Sequence, residues 1–112
     1  MDLSAEMVDG ARVVRVNEDR IDAAVAIQFK DRMRELAAGA GARVVLDLGR
    51  VGFVDSSGLG AIVAVMKFLA PASRLELAAL TPAVGKVFRM TRMDTVFVIH
   101  DLAPAAGAAH GQ

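Results

Sequence analysis

Two serines, an aspartate and two glycines stand within eight positions, Phe53-Val54-Asp55-Ser56-Ser57-Gly58-Leu59-Gly60. A hydrophobic run ends at Val54 and an apolar helical pattern starts at Leu59, so the octet reads as a strand-to-helix turn. Ser and Asp at such a turn satisfy the orphan N–H groups of a helix start. The same helix start favours anions such as phosphate. A serine held there is therefore a plain cap, a nucleophile or a phosphorylation site.

The residues weigh differently on these chemistries. A hydrolytic serine needs a base and an orienting group. The G-x-S-x-G elbow is broken by Val54, and the two histidines, His100 and His110, sit in the tail, away from any carboxylate cluster. Both read as incidental surface residues. No G-x-x-x-x-G-K-[ST] phosphate loop occurs. Residues 15–19 contain acids, yet no lysine closes a later strand as an aspartyl-phosphate receiver requires. The phosphoacceptor reading fits best, with Ser56 on an exposed tip. Phosphate there gains backbone N–H groups and the helix dipole, so the domain need not unfold. It also places about −2 charge beside Asp55. A partner that fits the bare turn then meets bulk, repulsion and desolvation.

The elements that position this turn follow from periodicity. Met7 to Gly10 is a turn signal, and residues 12–16 read as a strand, so the chain opens with a hairpin. Asp22 precedes a helical pattern of Val25, Ile27, Phe29, Met33 and Leu36 that Gly39 and Gly41 end. Residues 43–48 form an unalternated apolar run, as a strand buried on both faces does. A helix over about 57–69, a strand over 74–78 and a helix starting at Thr81-Pro82 follow. Val84, Val87, Phe88 and Thr91 give that helix an inward face. Residues 96–99 read as a last strand and 101–109 as a weak final helix. The order β-β-α-β-α-β-α-β-α predicts an α/β fold, a mostly parallel central sheet with an antiparallel edge hairpin and helices packed against it.

The helix after the turn is apolar nearly all round. Leu59, Ile62, Val63, Met66 and Leu69 form one face, directed at the sheet, and Ala61, Ala64, Val65 and Phe68 form another. The second stripe has three readings: a neighbouring helix, a second copy or a different partner. Its closeness to Ser56 favours a partner surface at Val65 and Phe68. Lys86, Arg89 and Arg92, three apart, read as a solvated face.

The totals bound the rest. The chain has 112 residues, 54% of them hydrophobic, which suits a single domain over residues 1–112 with a real core. Thirteen basic and thirteen acidic residues give a net charge of zero, which argues against nucleic-acid or membrane binding by bulk electrostatics. With no cysteine, disulfides and thiolate metal sites are excluded. Asp2 and Glu6 do not suit a signal peptide, and the longest apolar run, residues 59–71, is broken by Lys67 and too short for a bilayer. The expectation is a cytoplasmic, non-enzymatic protein without metal or cofactor.

One resemblance covers nearly the whole chain. Val44-Val45-Leu46-Asp47-Leu48, a short spacer and the Asp55-Ser56-Ser57-Gly58-Leu59-Gly60 string, then Lys67 and Leu80-Thr81-Pro82-Ala83-Val84, resemble the STAS-domain proteins, specifically the anti-sigma factor antagonists. Arg20-Ile21-Asp22 matches at the first helix start. The resemblance implies a protein that binds an anti-sigma factor, itself a serine kinase, and so releases the sigma factor. It implies Ser56 as phosphoacceptor, with a phosphatase reversing the modification. Asp55 then flanks the acceptor, Ser57 is the neighbouring cap hydroxyl, and Gly58 and Gly60 permit close approach of the partner. Asp22 lies in the adjacent loop at the same end of the sheet. The chain binds no nucleotide, because the partner supplies ATP, and a homodimer is compatible with it. Asp19 departs from the family, which often carries glycine there, and adds negative charge near the interface. STAS domains also serve as adaptor or scaffold subunits of transporter and stress-signalling complexes. In that alternative there is no phospho-switch, Ser56 is a cap, and Val65 and Phe68 make a standing contact.

Overall fold

The computed structural model describes residues 1–105. Strands β1 (Leu3–Val8) and β2 (Ala11–Val16) form the opening antiparallel hairpin. Its turn places Asp9 at φ 50° and Gly10 at φ 81°, the left-handed pair that a tight hairpin requires. A two-residue strand, β3 (Arg20–Ile21), precedes helix α1 (Ala26–Ala37). Then come β4 (Arg43–Asp47), a second two-residue strand β5 (Phe53–Val54) and helix α2 (Ser56–Leu69). Strand β6 (Arg74–Ala78), helix α3 (Pro82–Met90), a 3₁₀ turn (Met93–Thr95) and β7 (Ile99–His100) complete the described elements.

The main sheet runs β1-β2-β4-β6-β7, parallel except for the hairpin, and β3 pairs with β5 in a separate parallel ladder. This is the α/β architecture expected, a mostly parallel sheet with an antiparallel edge hairpin. The β3–β5 ladder is additional, since a pair of two-residue strands leaves no periodicity to read. The last strand starts at Ile99, not at 96, because residues 96–98 leave the 3₁₀ turn before the chain reaches the sheet edge. Of the expected helix over 101–109, residues 101–105 are not helical, and the remainder lies outside the described residues.

From β2 onward every new main-sheet strand is laid on the same side of its predecessor. Right-handed crossovers then put successive helices on one face. Accordingly Phe29 and Met33 of α1, Ala61, Ile62 and Val65 of α2, and Val84 and Phe88 of α3 all join one core with Val14, Val16, Val44, Leu46, Leu75 and Leu77. Phe88 meets Phe97 edge to face at 6.0 Å. Ile27, expected inside α1, is 70% exposed, whereas Ala37 is buried.

This layering corrects the reading of α2. Its buried residues are Gly58, Ala61, Ile62 and Val65, and Val65 is fully enclosed. A helix wedged between a sheet and a neighbouring helix buries more than one stripe. Ala61 and Val65 of the second stripe belong to the core and Phe68 meets α1, so Val65 presents nothing to a partner, whereas Leu59, Val63, Met66 and Leu69 of the expected sheet face are only partly buried. Phe68 is half-buried, with the Arg34 guanidinium of α1 4.1 Å from its ring centroid.

On the sheet's second face Val8, Ala11, Val13, Val45 and Ala78 form a small cluster, with Ala103 against it. Beside them Glu76 of β6 is 1% exposed. A buried carboxylate is tolerated only when paired. Arg43 Nη2, Arg74 Nη2 and His100 Nε2 all lie 2.8 Å from its oxygens. His100 is therefore no incidental surface residue. A carboxylate only accepts, so its Nε2–H donates to Glu76. Burial alone raises the Glu76 pKa, but the hydrogen bonds from Arg43, His100 and Arg74 outweigh it and hold the carboxyl at about 2.

A depressed folded pKa contributes stability above the unfolded value of 4.5 and loses it as pH falls toward 2. The shift corresponds to about 3 kcal/mol at neutral pH. Wild-type unfolding free energy, followed by urea titration at several pH values, is expected to fall steeply between pH 4.5 and 2. Glu76→Gln is expected to be less stable at pH 7 and to show a flatter acid limb. An equally steep limb in the variant would place the acid sensitivity elsewhere.

Candidate functional site

The β3–β5 ladder pairs Arg20 with Phe53 and Ile21 with Val54. It delivers the next residues of both strands, Asp22 and Asp55, side by side. The backbone of Asp55 is extended (φ −93°, ψ −175°), as a helix N-cap requires. Its Oδ1 accepts the Gly58 N–H at 2.8 Å. Its Oδ2 accepts the Ala23 N–H at 3.1 Å, from the loop leading to α1. One carboxylate thus caps α2 and ties that cap to a second segment. Charge-assisted bonds of this kind contribute about 1–2 kcal/mol each.

Asp22 lies where the resemblance placed it, in the adjoining loop. Its Oδ1 accepts the Ala24 N–H at 3.1 Å, and Oδ2 is 3.7 Å from Arg20 Nη1. Asp19, the departure from the family pattern, is exposed just before β3, and its carbonyl accepts the Gly52 N–H at 2.8 Å.

Ser56 and Ser57 are exposed at the first two positions of α2. Asp55 fills the cap, so Ser57 is not the cap hydroxyl expected for it. Among the described residues neither serine hydroxyl has a hydrogen-bond partner, and the two N–H groups face the helix end unengaged. An exposed hydroxyl beside free N–H donors and a positive dipole end suits a phosphoryl group.

The two glycines divide. Gly58 is buried, and a Cβ on it would stand 1.9 Å from the Ile21 carbonyl oxygen. Its lack of a side chain serves the internal approach of α2 to β3, not the approach of a partner. Gly60 is exposed, with nothing within 4 Å of a Cβ, and leaves the flank of α2 open to an incoming molecule.

Of the residues expected at the site, the fold gathers Asp22, Asp55, Ser56, Ser57, Gly58 and Gly60 at one end of α2. Val65 is taken into the core and Phe68 into the contact with α1. Sequence reasoning missed the Arg20–Phe53 pair. Phe53 is 46% exposed, with the Arg20 guanidinium 5.0 Å from its ring centroid. The signal was the Phe53-Val54 alternation, one residue out and one in, too short to separate from the end of an apolar run. Lys86 and Arg89 are exposed on α3, and Arg92 lies past its end. Among the described residues no histidine neighbours Ser56, since His100 is engaged by Glu76. No His, Cys, Asp or Glu cluster among them is arranged to hold a metal.

The model of the STAS domain matches residues 2–106. BtrV of Bordetella bronchiseptica, assigned to the anti-sigma factor antagonists, is 30% identical over 117 residues, covering 97% of this chain and 94% of BtrV. An anti-sigma factor antagonist from Mycobacterium paratuberculosis superposes with a TM-score of 0.80 at 25% identity, over 99% of this chain and 94% of that one. The Bacillus cell fate determinant SpoIIAA in its phosphorylated form superposes with a TM-score of 0.64 at 25% identity, over 98% of both chains. SpoIIAA in its unphosphorylated form shares the fold, with a TM-score of 0.70 at 24% identity over 99% of this chain and 98% of that one.

Proposed function

We propose, from the premise that the chain belongs to the STAS-domain family, that it is an anti-sigma factor antagonist switched by phosphorylation of Ser56. Unphosphorylated, it binds an anti-sigma factor that is also a serine kinase and so frees a sigma factor for transcription. The kinase transfers phosphate from ATP to Ser56, and a phosphatase removes it. This chain supplies the acceptor and the docking surface, and the partner supplies the nucleotide and the catalysis. No helix among the described residues is long and apolar enough to cross a membrane; the exchange with an ATP-dependent kinase and a sigma factor places this work in the cytoplasm.

One observation carries the reading. Ser56 is exposed at the first position of α2, on a turn that Asp55 fixes from two sides. A phosphate there changes charge and bulk at a docking surface without breaking a bond that holds the fold. Incubating the purified protein with lysate of its source cells and ATP is expected to add one phosphate, measured by intact mass and mapped to Ser56. Ser56→Ala is expected to remain unmodified. A stable complex captured without any phosphate on Ser56 would instead identify a constitutive adaptor.

A further inference from the structure

We propose that Arg20 is the counter-ion of a phosphoryl group on Ser56. The inference rests on Ser56 being the phosphoacceptor and says what receives the charge once it is there. Residues 19–22 and 52–57 carry one cation, Arg20, against three carboxylates, Asp19, Asp22 and Asp55. Both oxygens of Asp55 are committed to the Gly58 and Ala23 N–H groups, and Oδ1 of Asp22 to Ala24. These carboxylates are fixed, so a phosphate on Ser56 arrives in a negative setting that Arg20, the cation of these two segments, can rebalance.

The geometry of Arg20 suits this task. Its side chain is 58% exposed and already leans along the ladder toward Asp22, at 3.7 Å, with its guanidinium over Phe53 at 5.0 Å. Neither contact is a close hydrogen bond. A dianionic phosphate outcompetes a single carboxylate for a guanidinium, whose fork matches two phosphate oxygens at once. Ser56 lies three residues beyond Phe53, the ladder partner of Arg20. Arg20 reaches Asp22, the neighbouring Ala23 N–H binds the Asp55 carboxylate, and Ser56 follows Asp55, so the guanidinium stands at the same end of α2 as the acceptor. The unengaged N–H groups of Ser56 and Ser57 face the same end of α2. When the guanidinium turns to phosphate, Asp22 loses its ion pair and the Phe53 ring loses its cover. Phosphorylation thus alters the docking surface one ladder step away from the modified serine.

The test uses full-length protein carrying genetically encoded phosphoserine at position 56, with and without Arg20→Ala or Arg20→Lys. The probe is the phosphate itself, titrated by phosphorus NMR from pH 4.5 to 8. The charged groups on the elements around it are Asp19, Arg20 and Asp22 beside β3, Arg50 before β5, Asp55 at the cap, and Lys86 and Arg89 on α3, which packs against β5. The phosphate midpoint is expected about one pH unit lower with Arg20 than with alanine, and partly restored by lysine. Lys67→Ala, in the last turn of α2, is expected to leave the midpoint unchanged. Phe53 ring protons are expected to shift on phosphorylation with Arg20 present and not in Arg20→Ala. Amide spectra of the unphosphorylated variants verify the fold. Equal midpoints with arginine and alanine overturn the assignment and leave the switch standing. Absence of any kinase for Ser56 overturns the switch, whatever the installed phosphate reports.

Discussion

Ser56→Asp is expected to bind the anti-sigma kinase at least about 30-fold more weakly than the unmodified protein, with an unchanged unfolding midpoint. The asymmetry follows from where the side chain lies. Ser56 is exposed and, among the described residues, its hydroxyl bonds to nothing, so replacing it removes no internal contact. A carboxylate at the first helical position is even favoured by the helix dipole. At an interface the same charge stands next to Asp55, in a surface that must shed water to dock. Like charge and unpaired desolvation there cost about 2 kcal/mol or more, which is the 30-fold. Ser56→Ala is expected to bind as the unmodified protein does. Calorimetric titration of the purified partner with the three forms separates the cases, and equal affinity for the aspartate form would sink the switch.

Gly58→Ala is expected to lower the unfolding free energy by about 3 kcal/mol or more, the scale of severe packing strain. The added Cβ meets a backbone carbonyl at 1.9 Å, not the tip of a flexible side chain. Ile21, which owns that carbonyl, is held by its pairing with Val54 and is itself buried in the core. Relief therefore requires α2 to lift from β3, which also strains the Asp55 bond to Ala23. Gly60→Ala, two residues along and facing open space, provides the contrast. It gains helix propensity and is expected to be neutral to stabilising by up to about 1 kcal/mol. Urea denaturation followed by circular dichroism reads both. A Gly58→Ala variant as stable as wild type would mean that helix and strand separate freely.

Most of the architecture was legible because its signals are local and redundant. The Asp9-Gly10 turn, the apolar 43–48 run and the Thr81-Pro82 start each mark an element boundary by backbone chemistry that tertiary context does not override. The Asp55-Ser56-Ser57-Gly58 turn was legible for the same reason. Apolar residues stop at Val54, resume at Leu59, and leave cap chemistry between.

What the sequence withheld depends on which elements meet. Val65 looks like an exposed apolar residue only until α1 is placed beside α2. Gly58 reads equally as a concession to a partner or to the protein's own backbone, and only the Ile21 carbonyl decides. Of the partners of Glu76 only Arg74, two residues back on the same strand, lies within local reach; Arg43 and His100 come from β4 and β7 and are brought together only by the sheet. The β3–β5 ladder is set by the loops around it and carries no pattern of its own.

The order of the sheet also bears on how the chain is built. Synthesis releases the protein from its N-terminus, and domains begin to organise as they emerge. Here the spatial order β1-β2-β4-β6-β7 repeats the temporal order, so every main-sheet strand leaving the ribosome meets a neighbour that is already waiting. No strand of the main sheet must stay unpaired until a later one arrives, apart from the first, which the local hairpin serves at once; only β3, outside that sheet, waits for β5. The residues of the Ser56 turn, from β3 to the first turn of α2, have all emerged before β6 begins. The candidate docking surface is thus complete in a nascent chain whose sheet is still growing, and the last of the described strands, bearing His100, closes the ring of donors around Glu76.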